Sequence, residues 1–189
     1  MILGITGGTG CGKTTLLKEI EERGGLILDC DAVYHELLTR DMELLNAIEA
    51  RFPGVVVDNQ LERKKLGAIV FADPQALADL NAITHGAIKA EIVRRLSEKP
   101  VLAAIDAITL FEGGLAELCD ATVAVCAPRA ARVERLMARD GISREYAESR
   151  IDAQKSESWF RQMCGHTLEN NGSPQEFREA CRTFLDELL

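Results

Sequence analysis

What this chain lacks narrows its class before any motif is found. None of its six cysteines (Cys11, Cys30, Cys119, Cys126, Cys164 and Cys181) stands in a C-x-x-C pair, so neither a zinc site nor a redox dithiol is indicated. Positive charge is short as well. Lys and Arg number 22 against 30 Asp and Glu, and the formal net charge of −8 argues against a nonspecific nucleic-acid or acidic-membrane binder. Any anionic ligand must therefore be met by a local basic cluster. No apolar run approaches membrane-spanning length. Met1 passes straight into an apolar stretch, without the basic start of a secretory signal. Several cysteines lie in apolar runs, where a reduced thiol acts as a small hydrophobe. These absences lead to the expectation of a soluble, cytoplasmic protein that partners neither membrane nor nucleic acid. Internal repeats, low-complexity tracts and disordered linkers are also missing. The remaining 189 residues suit one domain, or one domain with insertions.

What is present centres on residues 2–15. The apolar run Ile2-Leu3-Gly4-Ile5 breaks into Gly7-Gly8-Thr9-Gly10-Cys11-Gly12-Lys13-Thr14-Thr15, then continues into the helix-like Leu16-Leu17-Lys18-Glu19-Ile20. Gly7 with Gly12-Lys13-Thr14 fits the spacing G-x-x-x-x-G-K-[ST], and both flanks, strand before and helix after, are correct. Glycines let backbone wrap a phosphate where a Cβ would clash, and the helix amino end supplies free N–H groups and a positive dipole. Gly10, Cys11, Gly12, Lys13, Thr14 and Thr15 are thus expected to cradle a nucleoside triphosphate. Lys13 should reach the β- and γ-phosphates, and the Thr14 hydroxyl should be a Mg²⁺ ligand.

Further along, a helix over 13–23 stops at Gly24-Gly25, and Leu26-Ile27-Leu28 forms a short buried strand ending in Asp29-Cys30-Asp31. In parallel sheets ligands bind beyond the carboxyl ends of strands, which puts both acids at the functional edge. One helix is predicted over 32–50. A turn at Asp58-Asn59, a short helix over 61–71 carrying Arg63-Lys64-Lys65, and a long helix opened by Asp73-Pro74 follow. Val101 to Asp106 is an apolar strand closed by an acid. Ala121 to Ala127 is another buried strand, and Thr167-Leu168-Glu169 is a short last one. After Pro128, Arg129, Arg132, Arg135 and Arg139 are spaced to share one helix face. This alternation implies a parallel sheet covered on both faces, with a helical insertion between residues 32 and 99.

Each candidate has two readings. Asp31 could orient an acceptor hydroxyl and take its proton, or serve as a helix N-cap, a role Asp29 could equally fill. Asp106 could hold Mg²⁺ or simply end a strand. The arginine face could close over a transferring phosphoryl group, or be a solvated face paired with Glu134 and Asp140. Cys11, at a helix amino terminus and two residues from Lys13, could be an activated thiolate shielded by ATP, or an inert thiol pointing into the sheet.

Taken together, the sequence resembles the dephospho-coenzyme A kinase family over nearly its whole length. The shared blocks are residues 6–15, Asp29-Cys30-Asp31, Leu61-Glu62-Arg63 with Leu66 and Val70-Phe71, Leu80-Asn81 with His85, Leu110-Phe111-Glu112, residues 135–141, Ala153-Gln154 and Asn170-Asn171-Gly172. The resemblance implies an α/β, three-layer P-loop NTPase fold with a five-stranded parallel sheet of order 2-3-1-4-5. The core would span about residues 1–31, 100–127 and 165–189, the substrate-binding insert 32–99 and an arginine-bearing lid 128–164. It implies ATP and Mg²⁺, with dephospho-coenzyme A phosphorylated on its ribose 3′-hydroxyl in the last step of coenzyme A synthesis. Asp31 becomes the base, Lys13 and Arg139 the catalytic cations, Thr14 and Asp106 the metal ligands, and Arg63, His85 and Glu112 candidates for the substrate side. Gly86 stands where the family has proline, Ile108-Thr109 where a proline precedes the Leu-Phe-Glu block, and Cys164-Gly165 where an Ala-Asp pair is usual. The chain is taken as a monomer or weak homo-oligomer. Two other readings remain: a P-loop kinase for a nucleoside- or sugar-like acceptor, and a regulator that binds nucleotide without transfer. The lack of an Asn-Lys-x-Asp motif argues against a GTPase.

Overall fold

Five short strands assemble into one sheet in the computed structural model, which describes residues 1–189. They are β1 (Ile2–Thr6), β2 (Leu26–Asp29), β3 (Ala103–Asp106), β4 (Ala121–Cys126) and β5 (His166–Glu169), in the order β2-β3-β1-β4-β5. This is the expected 2-3-1-4-5 arrangement. β1 pairs in parallel with β3 on one side and β4 on the other, and β4 pairs in parallel with β5. Chain order therefore reverses at β1, and it is beyond the carboxyl end of such a strand that α/β sheets bind ligands.

The nine helices are α1 (Lys13–Glu22), α2 (Cys30–Arg40), α3 (Met42–Arg51), α4 (Arg63–Val70), α5 (Pro74–Leu96), α6 (Arg129–Asp140), α7 (Arg144–Asp152), α8 (Glu157–Met163) and α9 (Pro174–Leu188). None is long and apolar enough to cross a membrane. The chain divides into two compact units, residues 1–28 with 99–189, and residues 29–98.

In the first unit, α1 and α9 cover one sheet face. Leu16 and Ile20 of α1 and Phe177, Cys181 and Leu185 of α9 pack on Leu3, Ile5, Val123 and Val125. Each such buried Leu, Ile or Phe side chain contributes on the order of 2 kcal/mol. Buried Glu19 on α1 is held by Arg178 and by Arg182 (2.8 Å) of α9, locking the two helices in register. On the other face, Phe160 of α8 packs on Ala124 and Cys126. Helices α6 and α7 form a hairpin with its own small core of Val133, Leu136, Ala147 and Ile151. Residues 128–164 all belong to this first unit.

The second unit gathers α2, α3 and α4 against the long α5. A single helix over 32–50 was expected, but the chain breaks at Asp41. Its backbone is extended (φ −95°, ψ 97°), and its carboxylate accepts the Leu44 N–H at 3.0 Å, starting α3 afresh. An aspartate offering an N-cap competes with helix continuation, and here the cap wins. The turn at Asp58-Asn59 is a two-residue hairpin loop between Val56–Val57 and Gln60–Leu61, with both residues at positive φ (50° and 60°). Buried Glu91 of α5 gathers Arg40 (2.6 Å), Arg94 (2.8 Å) and Arg95 (2.8 Å), which hold its carboxyl far below the usual carboxylate range.

Candidate active site

The loop between β1 and α1 follows from the sheet register. Ile5 lies opposite Asp106 and Thr6 opposite Ala124, so the loop leaves the sheet between the ends of β3 and β4. Gly12 sits at the start of α1 in the left-handed region (φ 102°), which a side chain rarely adopts. No side chain caps this helix start; the Thr15 N–H turns back to the Gly12 carbonyl (3.0 Å), and the Lys13 and Thr14 N–H groups ahead of it are left for an anion. Lys13 folds back over the loop. Its Nζ donates to the Gly7 carbonyl at 3.1 Å and lies 3.9 Å from Asp106 Oδ1. Thr14 is exposed on the first turn and Thr15 is half-buried.

The structure thus brings Gly10, Cys11, Gly12, Lys13, Thr14, Thr15 and Asp106 to one edge. Nowhere in the chain are three or more His, Cys, Asp or Glu side chains gathered into a metal-binding group. A magnesium ion held by the Thr14 hydroxyl and the Asp106 carboxylate would need phosphate oxygens to complete its shell, which is the usual mode for this cation. The residues fit Mg²⁺ brought in with a nucleotide.

Arginines hold the outside of the loop. Arg132 is buried, and its Nε donates to the Thr9 carbonyl at 2.8 Å. Its guanidinium fills the space behind Gly8, where a Cβ would lie 2.2 Å from Nη2. Arg135 donates to the Gly10 and Cys11 carbonyls (3.2 and 3.4 Å) and to Asn170 Oδ1 (3.2 Å). Asn170 in turn donates to the Cys11 carbonyl at 2.8 Å. Gln154 accepts the Thr9 N–H at 2.8 Å. Burial pulls the Arg132 pKa below its ordinary value.

The solvated-face reading of these arginines is overturned for the middle two, which grip the loop. Nor is Glu134 the partner of the outer two, since Arg129 pairs with Asp152 (2.5 and 3.0 Å). Arg139 makes a bidentate pair with Asp140 (2.7 and 2.9 Å), and Asp140 also holds Arg150. These two arginines hold the Asp140 carboxyl low, at about 2.

The activated-thiolate reading of Cys11 is overturned as well. The thiol is only 2 % exposed, and burial pushes its pKa up, outweighing the pull of Lys13 and Arg132. Its backbone belongs to the loop while its sulfur packs into the sheet core. Glu112 is exposed in the turns after β3. Beside it, Phe111 meets Trp159 edge-on, with ring centroids 5.8 Å apart.

The other expected residues lie in the second unit. Asp29, the last residue of β2, caps α2 by accepting the Asp31 and Ala32 N–H groups (2.9 and 3.1 Å). The N-cap reading of Asp31 is therefore corrected: its own carboxylate is exposed on the first turn. His85 is half-buried midway along α5, and Gly86 continues that helix without a break. Arg63 lines a cleft of about 500 Å³ with Leu38, Thr39 and the hairpin residues 58–61. Tyr34 is also near Arg63, and its hydroxyl pKa is raised by burial against the opposing pull of that cation.

The sequence places Arg132 on the arginine face and Gln154 in a shared block, but assigns a role only to Arg139. The available signal was position: Arg132 and Arg135 directly precede Val133 and Leu136, the core positions of α6.

The family model for dephospho-CoA kinase matches residues 1–176. The chain belongs to the dephospho-CoA kinase family. A dephospho-CoA kinase of Deinococcus radiodurans is 38% identical over 90% of this chain and 84% of its own length. A solved structure from Thermus thermophilus superposes with a TM-score of 0.83 at 34% identity, covering 100% of this chain and 98% of that one. The dephospho-CoA kinase of Campylobacter jejuni gives a TM-score of 0.70 at 25% identity, covering 99% and 96%. As a member of the dephospho-CoA kinase family, this chain is an ATP-dependent phosphotransferase acting on dephospho-CoA.

Proposed function

We propose that this chain moves the γ-phosphoryl group of ATP to the ribose 3′-hydroxyl of dephospho-CoA, with Asp31 as base and Arg139 as the mobile cation. The observation that carries this reading is the family match, which runs through both the phosphate loop and the insert. In the transfer, the acceptor oxygen forms a bond to γ-phosphorus as the bond to the bridging β,γ-oxygen breaks. The hydroxyl proton passes to the Asp31 carboxylate, and ADP leaves. Lys13 and the amino end of α1 meet the β- and γ-phosphates, where electrostatic stabilisation does most of the work. Mg²⁺, held by Thr14, Asp106 and the phosphates, would neutralise charge that develops on the leaving group. Arg139 would release Asp140 to reach the moving phosphoryl group. Arg63, His85 and Glu112 are assigned to the acceptor side, Arg63 through the cleft it lines.

Residues 32–99 then act as the substrate-binding insert and residues 128–164 as the lid. The six cysteines are all free, which suits a cytoplasmic site of action. Incubation with Mg-ATP and a panel of hydroxyl acceptors tests the proposal. Dephospho-CoA should be consumed to coenzyme A far faster than any nucleoside or sugar. Faster transfer to one of those acceptors, or ATP hydrolysis alone, would refute it.

A further inference from the structure

Thr9, in the middle of the phosphate loop, is gripped at both of its backbone polar groups by side chains from the segment after β4. Gln154 accepts its N–H at 2.8 Å, and Arg132 Nε donates to its carbonyl at 2.8 Å. The two side chains also meet, with Arg132 Nη2 3.5 Å from Gln154 Oε1. The Thr9 N–H is therefore already satisfied by protein, as are those of Cys11 (to the Gly8 carbonyl) and Thr15 (to the Gly12 carbonyl), which leaves phosphate binding to the remaining loop amides.

Arg132 is also a buried cation that makes no direct ion pair, with Glu157 offsetting its charge only at longer range. Its acceptors are a peptide oxygen and an amide oxygen, both neutral. Glu157 lines the same small cavity behind the loop but pairs with Arg161 at 2.6 Å. An unpaired buried charge is costly to the empty protein. That cost is recovered when an anion arrives on the other side of the loop, and the guanidinium is separated from that side by Gly8, a residue without a side chain.

We propose that Arg132 and Gln154 are positioning residues of the nucleotide site: together they fix the Thr9 peptide, and Arg132 sets a buried positive charge whose counter-charge is the bound nucleotide's phosphates. The inference rests on the loop being the nucleotide site, not on which acceptor is used. It can fail while the acceptor assignment stands.

The test is titration of the full chain with Mg-ADP, alongside thermal melting without nucleotide and steady-state kinetics on both substrates. Gln154→Leu should weaken Mg-ADP binding about tenfold, the scale of one lost hydrogen bond to the loop. Arg132→Met should weaken it by at least as much while leaving the melting temperature of the empty protein unchanged or higher, because a buried unpaired charge has gone. In both variants the KM for ATP should rise far more than kcat falls, and the KM for dephospho-CoA should hold. Gln154 is half-buried in the bend two residues beyond α7, so its variant folds even where Arg132→Met does not. Parental Mg-ADP affinity in Gln154→Leu would overturn the proposal. So would an equal loss on both substrates accompanied by a lower melting temperature, the mark of a merely structural role.

Discussion

Two ends of helix α6 use the same residue type for different work. At the inner end, Arg132 and Arg135 spend their hydrogen bonds on the carbonyls of Thr9, Gly10 and Cys11, and have no freedom left. At the outer end, Arg139 has 61 % of its side chain exposed and is held only by its neighbour Asp140. An exposed pair of this kind contributes little to stability and exchanges readily. The inner arginines are therefore tied to the loop, and the proposal gives the outer one the moving role during transfer. The acids at the start of α2 divide in the same way. Asp29 is committed to capping the helix, while the Asp31 carboxylate is exposed on the first turn, where the proposal gives it the acceptor proton.

The acids give the larger test of this division. Asp31→Asn should lower kcat by about 10²–10⁴-fold, the usual contribution of a general base, with Mg-ADP affinity and melting temperature near the parent's. Asp29→Ala should do the opposite, costing on the order of 1 kcal/mol of stability, as loss of an N-cap does, with a smaller effect on rate. A variant pair in which Asp31→Asn melts early and still turns over would merge the two roles and break the comparison. The smallest effect expected is at Cys11. Burial raises the pKa of Cys11, Cys119 and Cys164 alike, so accessibility decides, and native-state alkylation should reach the partly exposed Cys119 and Cys164 first. Cys11 should be labelled only after unfolding, with or without Mg-ATP. Rapid, ATP-protected labelling of Cys11 would show that the loop opens in solution.

The fold and the loop were legible in the sequence because each rests on a local rule: apolar runs for strands, glycine spacing for the loop, Ser173-Pro174 and Asp73-Pro74 for helix starts. The break at Asp41 was missed because apolar positions continue across it, and only the capping geometry shows the interruption. For Cys11 and Arg132 two readings stayed open in the sequence for a shared reason. Neighbours in the chain suggest an activated thiol and a solvated cation, but neither depends on chain neighbours. The register of β1 with β4 turns the loop so that the Cys11 sulfur enters the core, and α6 packs its Arg132 edge against Gly8. Burial of a side chain by elements more than a hundred residues away leaves no trace in local spacing.

The central claim is that α6 divides into a holding half and a moving half. It is tested most directly by measuring Mg-ATP dissociation and single-turnover transfer to dephospho-CoA in Arg139→Ala. The account predicts a transfer rate lower by about 10²–10³-fold, the loss expected when one preorganised charge is removed from a transition state, with ATP affinity within about threefold of the parent. Weakened ATP binding with the transfer step unchanged would place Arg139 among the holding residues and contradict the division.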